Sequence, residues 1–245
     1  MPLFSWPKNK ALATGRVNYV YDGQDVYPEL AGTTEYSSSA AVTSVRTRPI
    51  KTIQTELLAA QSTAASTQVA SSVLALTGIK QALVFIDHGR ANTVAFGTNG
   101  TEYRVEVNEA ATGNKWRSVA SVLAGSAACL AVAASADVAA GGTTVVVTSG
   151  TSIAARGDIV FWANTVAASS SEWGRVLSVS GTASFVLENG LDVGQDSDTN
   201  IFTQAEQFTL TVDTRAATRL RVLVNNNASG TTQAVYSRVA CITEA

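Results

Sequence analysis

The stretch "GDIVFWANTVAASSSEWGRVLSVSGTASFVLENGL" (Gly157 to Leu191) carries two of the four tryptophans of the 245-residue chain. Its apolar runs are separated by turn text. "SG" at 180–181 and "NG" at 189–190 are hairpin signals, so the stretch reads as three short strands. Moving outward, "TTVVVTSG" (143–150) and "IFTQA" (201–205) add two more, which makes a unit the size of a small five-stranded barrel. The text on both sides of it belongs to a larger β pattern. The fold therefore reads as one β domain interrupted by another.

The larger pattern is legible as alternation. "EYRVEVNE" (102–109) places Tyr103, Val105 and Val107 on one face and Glu102, Arg104 and Glu106 on the other. "QALVFIDHG" (81–89) is the apolar run of a buried strand, whereas "TIQTELLAAQ" (52–61) fits a strand or a helical face. After the interruption, three segments alternate: Phe208, Leu210 and Val212; Leu220, Val222 and Val224; Val235, Ser237, Val239 and Cys241. Three such strands need a partner sheet, most simply the strands between 52 and 125. The expectation is an all-β chain. Residues 51–141 and 206–245 form a discontinuous β-sandwich, jelly-roll or Ig-like, and 142–205 form an inserted SH3-like small β-barrel. The ends of an inserted domain normally lie close together, so removal of the insert is expected to leave the sandwich folded.

Residues 1–50 form a third region. All four prolines (Pro2, Pro7, Pro28, Pro49) lie there, beside aromatics without period: Phe4, Trp6, Tyr19, Tyr21, Tyr27 and Tyr36. Proline fixes φ and removes a donor, so regular structure is not expected. The aromatics suit an extended N-terminal arm that docks on another surface. Arg46 and Arg48, with Lys51 close by, add a basic strip at its end, and these aromatics and arginines are the candidate partner-binding residues.

Charged residues make up 15% of the chain and the net charge is −2, so no specific nucleic-acid partner is expected. Cys129 and Cys241 are not in metal-ligand spacing and read as two buried free thiols. "SVASVLAGSAACLAVAASA" (118–136) is long and uncharged, but Ala, Ser and Gly dominate it. It reads as strand plus loop, with no membrane span and no secretory signal ahead of it.

The segment "TTVVVTSGTSIAARGDIVFWA…EWGRVLSVSGTASFVLENGL" resembles small barrel domains of tailed-bacteriophage structural proteins. Thr148 to Thr151, Gly157-Asp158 and Arg175 to Gly181 carry the likeness. The flanks "QALVFIDHGR…GTEYRVEVNE" and "AEQFTLTVDTRAATRLRVLVNNNASG" resemble sandwich-type phage virion proteins. The resemblance covers roughly 80–242 and excludes the arm. It implies a virion localisation after assembly in the host cytoplasm, and a capsid decoration or cement protein whose partners are the major capsid protein or other virion subunits, with homo-oligomers expected. The alternatives are a head–tail connector, a tail accessory protein or a host-glycan-binding module. No cofactor is implied.

Catalytic text is sparse. His88 is the only histidine, and its neighbour Asp87 points to the opposite strand face, so the two do not form an acid–base pair. Asp192, Asp196 and Asp198 make an acidic loop open to a solvated or a calcium-binding reading. Trp162 and Trp173 are open to a core or a sugar-stacking reading.

Overall fold

The computed structural model describes residues 17–21, 26–30 and 55–244, apart from 92, 94, 96–99, 149–153, 165–167, 182, 198 and 229–233. The chain falls into two units, Met1–Arg48 and Pro49–Ala245. The first carries an antiparallel hairpin of β1 (Val17–Tyr21) and β2 (Val26–Leu30), in register from Val17↔Leu30 to Tyr21↔Val26. Regular structure thus occurs where the proline content argued against it. The β-branched and aromatic text "VNYVY" and "VYPEL" favours strands.

The second unit is all-β apart from one 3₁₀ turn (Ala168–Ser170) among the described residues. Its strands are β3 (Thr55–Thr63), β4 (Thr67–Ala70), β5 (Leu74–Ala75), β6 (Gln81–Arg90), β7 (Thr101–Asn108), β8 (Arg117–Ala124), β9 (Ala131–Ala133), β10 (Thr144–Val146), β11 (Ile159–Trp162), β12 (Glu172–Ser180), β13 (Ser184–Leu187), β14 (Asn200–Asp213), β15 (Arg219–Asn226) and β16 (Val235–Glu244). The ambiguous segment at 52–61 is strand: Leu57 and Leu58 are buried in β3.

Two antiparallel sheets make a sandwich. One runs β14-β6-β16-β3 and the other β4-β15-β7-β8, with β5 continuing β4 along β15. Counting the sandwich strands in chain order, with β4 and β5 as one, the sheets read 6-3-8-1 and 2-7-4-5. This is the order of a jelly roll, not of an immunoglobulin sandwich. Its core draws on both sheets: Leu57, Val84, Ile86, Val212, Val239 and Cys241 face Tyr103, Val105, Leu220, Val222 and Val224. Each large aliphatic residue so buried contributes about 1.5–3 kcal/mol.

The interruption falls between the fifth and sixth jelly-roll strands. Its pairings run β10-β13-β12-β11-β14-β9, and an isolated bridge, Ala134↔Val147, joins the end of β9 back to that of β10. Inside this ring lies a second core of Val145, Val160, Trp162, Val176, Phe185, Leu187 and Ile201, to which Val132, Ala134 and Val138 also belong. The "SG" turn joins β12 to β13 with Gly181 at φ 62°, a left-handed conformation that glycine adopts freely. The "NG" turn does not close a hairpin, because β13 pairs with β10 and β12 and not with the strand that follows. Gly190 is needed there for close approach: a Cβ on it would lie 2.4 Å from the Gly141 carbonyl oxygen.

The ring and the jelly roll share a strand. The first part of β14 pairs with β9 and β11 over residues 200–205, and its remainder pairs with β6 from Glu206↔His88 to Asp213↔Gln81. Gln204, at φ 60°, marks the change of partner.

Candidate functional site

Asp87 and His88, the polar pair that sequence reading singles out, lie near the end of β6 that approaches the ring. Along β6 the alternation sends Asp87 outward and His88 inward. Asp87 accepts from Arg238 Nε and Gln207 Nε2, both at 2.8 Å. His88 is fully buried, and its Nδ1 lies 2.7 Å from the Tyr103 hydroxyl, which lies 2.7 Å from Ser237 Oγ. The two carry no contact with each other that would orient the imidazole.

The Ser237–Tyr103–His88 line crosses the sandwich: Ser237 and His88 are register partners on neighbouring strands of one sheet, and Tyr103 belongs to the other. All three residues have no exposed surface. The hydroxyl of Ser237 touches the phenol and not the imidazole, so the base does not reach a nucleophile. A satisfied polar line of this kind fixes how two sheets face each other. Desolvation, followed by the nearby Arg90 cation, lowers the His88 pKa from 6.5 to about 3. Desolvation raises that of Tyr103. Nε2 of His88 has no hydrogen-bond partner among the described residues.

Two further side chains fasten the chain as it leaves β8 for the ring. Arg90, buried at the end of β6, donates from Nη2 to the Ala127 carbonyl. Glu206 Oε2 accepts the Gly125 N–H at 2.6 Å. Between the jelly roll and the ring, both parts of the second unit, lies an apolar cluster of Ala60, Cys129, Phe161, Ala163, Trp173, Phe202, Ala205 and Tyr236. The Phe161 ring is 4.9 Å from Trp173 and 5.2 Å from Tyr236 between centroids. It also occupies the space where a Cβ on Gly89 would be, 2.5 Å from its Cγ.

This placement decides the tryptophan reading. Trp162 and Trp173 are 0% and 7% exposed, so neither offers an open ring face for a sugar. Trp173 instead packs on Phe161 and beneath the Arg238 guanidinium, 5.4 Å from its ring. In the acidic loop Asp198 lies outside the described residues, and the loop backbone is held by the fold. Asp137 Oδ1 accepts the Ser197 N–H, and Glu172 Oε1 accepts the Val193 N–H. Among the described residues no group of three His, Cys, Asp or Glu side chains could hold a metal ion. Cys129 and Cys241 are free and buried. No helix among the described residues is long and apolar enough to cross a membrane.

Of the arm residues, Tyr19, Tyr21 and Tyr27 lie on the hairpin, where Tyr19 is in register with Pro28 and Tyr27 with Val20. Phe4, Trp6, Tyr36, Arg46 and Arg48 lie outside the described residues. Sequence reading missed the cluster around Trp116, whose ring lies 5.0 Å from Arg219 and 4.3 Å from Arg221. Arg221 also pairs with the buried Glu106 at 2.8 Å. Alternation marks Glu106 as an outward residue and gives no sign of its partner, Arg221 on β15.

Comparison with known proteins finds no matching family model, no matching curated protein and no matching solved structure.

Proposed function

We propose that this chain is a non-enzymatic structural subunit of a tailed-bacteriophage virion, a capsid decoration or cement protein that binds the major capsid protein or other virion subunits. The observation that carries this reading is the strand order 6-3-8-1 over 2-7-4-5. Jelly rolls recur in viral capsid domains and in lectins. A fold by itself does not fix a function, so the reading also leans on the phage-like text at Thr148 to Thr151, Gly157-Asp158 and Arg175 to Gly181. The lectin alternative is not favoured, because the tryptophans that would supply a stacking platform are buried.

In this reading the ring of strands is a small SH3-like barrel carried by the jelly roll. The arm, with Phe4, Trp6, Tyr19, Tyr21, Tyr27, Tyr36, Arg46 and Arg48, is the segment laid on a neighbouring subunit. Aromatics buried in such a contact would each contribute about 1.5–3 kcal/mol if fully desolvated. The test is the protein content of purified virions. A band for this chain at a copy number comparable with the major capsid band supports decoration. A few copies per particle point instead to a connector or tail accessory, and absence from virions overturns the proposal. A chain lacking residues 1–50 is expected to load poorly; loading at the wild-type level removes the arm from the assembly role.

A further inference from the structure

The edges of the jelly roll are not treated alike. β3 presents Glu56 and Gln61 and has the 3₁₀ turn at Ala168–Ser170 close to it. The β4–β5 edge is broken at Ser71, whose Oγ replaces a strand carbonyl as acceptor for the Val222 N–H. The outer edge of β14 is bounded by Glu206 and Asp213, with Gln207, Thr209 and Thr211 exposed between them. Short, broken or charged edges are the ordinary means of preventing strand addition.

β8 has almost none of these protections. It pairs with β7 on one side and with no described strand on the other. Its text, "RSVASVLA", contains no proline and no acid, and its only charge is Arg117 at the first position. Val119 and Leu123 are 47% and 59% exposed. The one irregularity is the register shift opposite Val105–Glu106, which leaves Val119 as an extra residue.

We propose that β8 is a homotypic docking edge: two copies of this chain join β8 to β8, antiparallel across a two-fold axis, and merge their outer sheets into one. The strand is complementary to itself. With Ser121 on the axis, Val119 of each copy opposes Leu123 of the other, so the exposed apolar side chains cover one another twice. The same register sets Arg117 against Gly125, whose N–H is held by the Glu206 carboxylate. Arg117, 3.5 Å from Glu109 of its own chain, is thereby brought toward the Glu206 carboxylate of the other copy, and like charges oppose nowhere. Two-fold, isologous contacts of this kind are the commonest route to homodimers, and main-chain pairing with alternate side-chain contacts is how sheet edges bind. The inference does not depend on the virion reading.

The test uses the full chain in solution, by sedimentation velocity across a concentration series. Wild-type protein is expected to reach the mass of two chains. Ser121→Lys places like charges on the axis and should weaken association by about tenfold or more. Arg117→Glu should weaken it in the same direction, and neither change should alter the circular dichroism spectrum. As a positive control of register, oxidised Ser121→Cys should migrate as a covalent dimer on a non-reducing gel, and Ser178→Cys, on the exposed face of β12, should not. A wild-type chain that stays monomeric at its highest soluble concentration overturns the proposal, even if β8 then captures a different virion subunit. So does a dimer that Ser121→Lys leaves intact and Ser121→Cys fails to cross-link, because the contact then lies elsewhere.

Discussion

His88 should make this protein lose stability well above the pH at which its carboxylates titrate. The imidazole is neutral in the fold, with a pKa lowered from 6.5 to about 3 by desolvation and then by Arg90. Among the described residues, none of the groups around it forms an ion pair with the ring. Tyr103 from β7 is a phenol, Ser237 from β16 is a hydroxyl, and Glu206, its register partner on β14, is engaged by the Gly125 N–H. Because the folded pKa lies below the unfolded one, the contribution of neutral His88 is fully present above pH 6.5. It is lost as the pH falls toward about 3, where the unfolded chain takes up a proton that the folded chain refuses. The slope is about 1.4 kcal/mol per pH decade. The full loss is on the order of 5 kcal/mol, with about 2 kcal/mol gone by roughly pH 5. Urea unfolding at several pH values between 7.5 and 5, on wild type and His88→Gln, measures it. The variant lacks the titrating group and costs about 1–3 kcal/mol at neutral pH through imperfect bonding to Tyr103. Its stability should then be nearly flat across the window in which the wild type falls. Glu172, whose carboxyl burial pushes up, acts in the opposite sense as pH falls but equally in both proteins. Parallel slopes for the two proteins, or an imidazole that titrates near 6.5 in the folded state, would refute the reasoning.

Three other outcomes follow from the junction and the jelly-roll core. Gly89→Ala drives a methyl into the Phe161 ring and should cost about 1–3 kcal/mol, read as a lower urea midpoint; an unchanged midpoint would mean that the ring moves aside freely. Replacing residues 142–204 with a Gly/Ser linker removes Phe161, Trp173 and Phe202 from the cluster on Tyr236 and cuts β14 near its bend. Although the ends of an inserted domain normally lie close together, this insert shares a strand with its host. The remaining jelly roll should therefore lose its cooperative transition or its solubility, and a sharply melting, soluble product would show that the shared strand is dispensable. Burial raises the Cys129 thiol and pushes Cys241 up to about 11. Both should resist a thiol reagent in the folded protein and react together in urea, whereas rapid labelling of either in buffer would contradict the packing.

The sandwich was legible because its strands have one wet face. Leu220, Val222 and Val224, and likewise Val235, Ser237, Val239 and Cys241, are all inward and unexposed, as their alternation predicts. Even Ser237 obeys the pattern, since a core hydroxyl is tolerated where the Tyr103 phenol meets it. What alternation does not record is partnership. β14 reads as two strands, "IFTQA" and "QFTLTVD", because its neighbours change at Gln204 without a glycine or proline to announce a bend. β9 is too short to show a period, so the sequence assigns Val132 and Ala134 to the sandwich although they pack inside the ring. Arg90 and Glu206 carry no local signature either. Their role depends on a chain segment, 125–127, that is distant in sequence and comes beside them only when the jelly roll has closed.

The shared strand also sets how a pull on the ring would travel. A linker would let the ring swing and would pass on only tension. Here the backbone of β14 enters the jelly roll already paired, through eight consecutive register partners on β6. Force along that strand is resisted by the ladder in shear, with its hydrogen bonds strained together and not opened one after another. The ring cannot be turned, peeled away or released without breaking the sheet that holds Asp87, His88 and Arg90. Displacement imposed on the ring therefore reaches the jelly roll through β14 as a load on the β6 ladder.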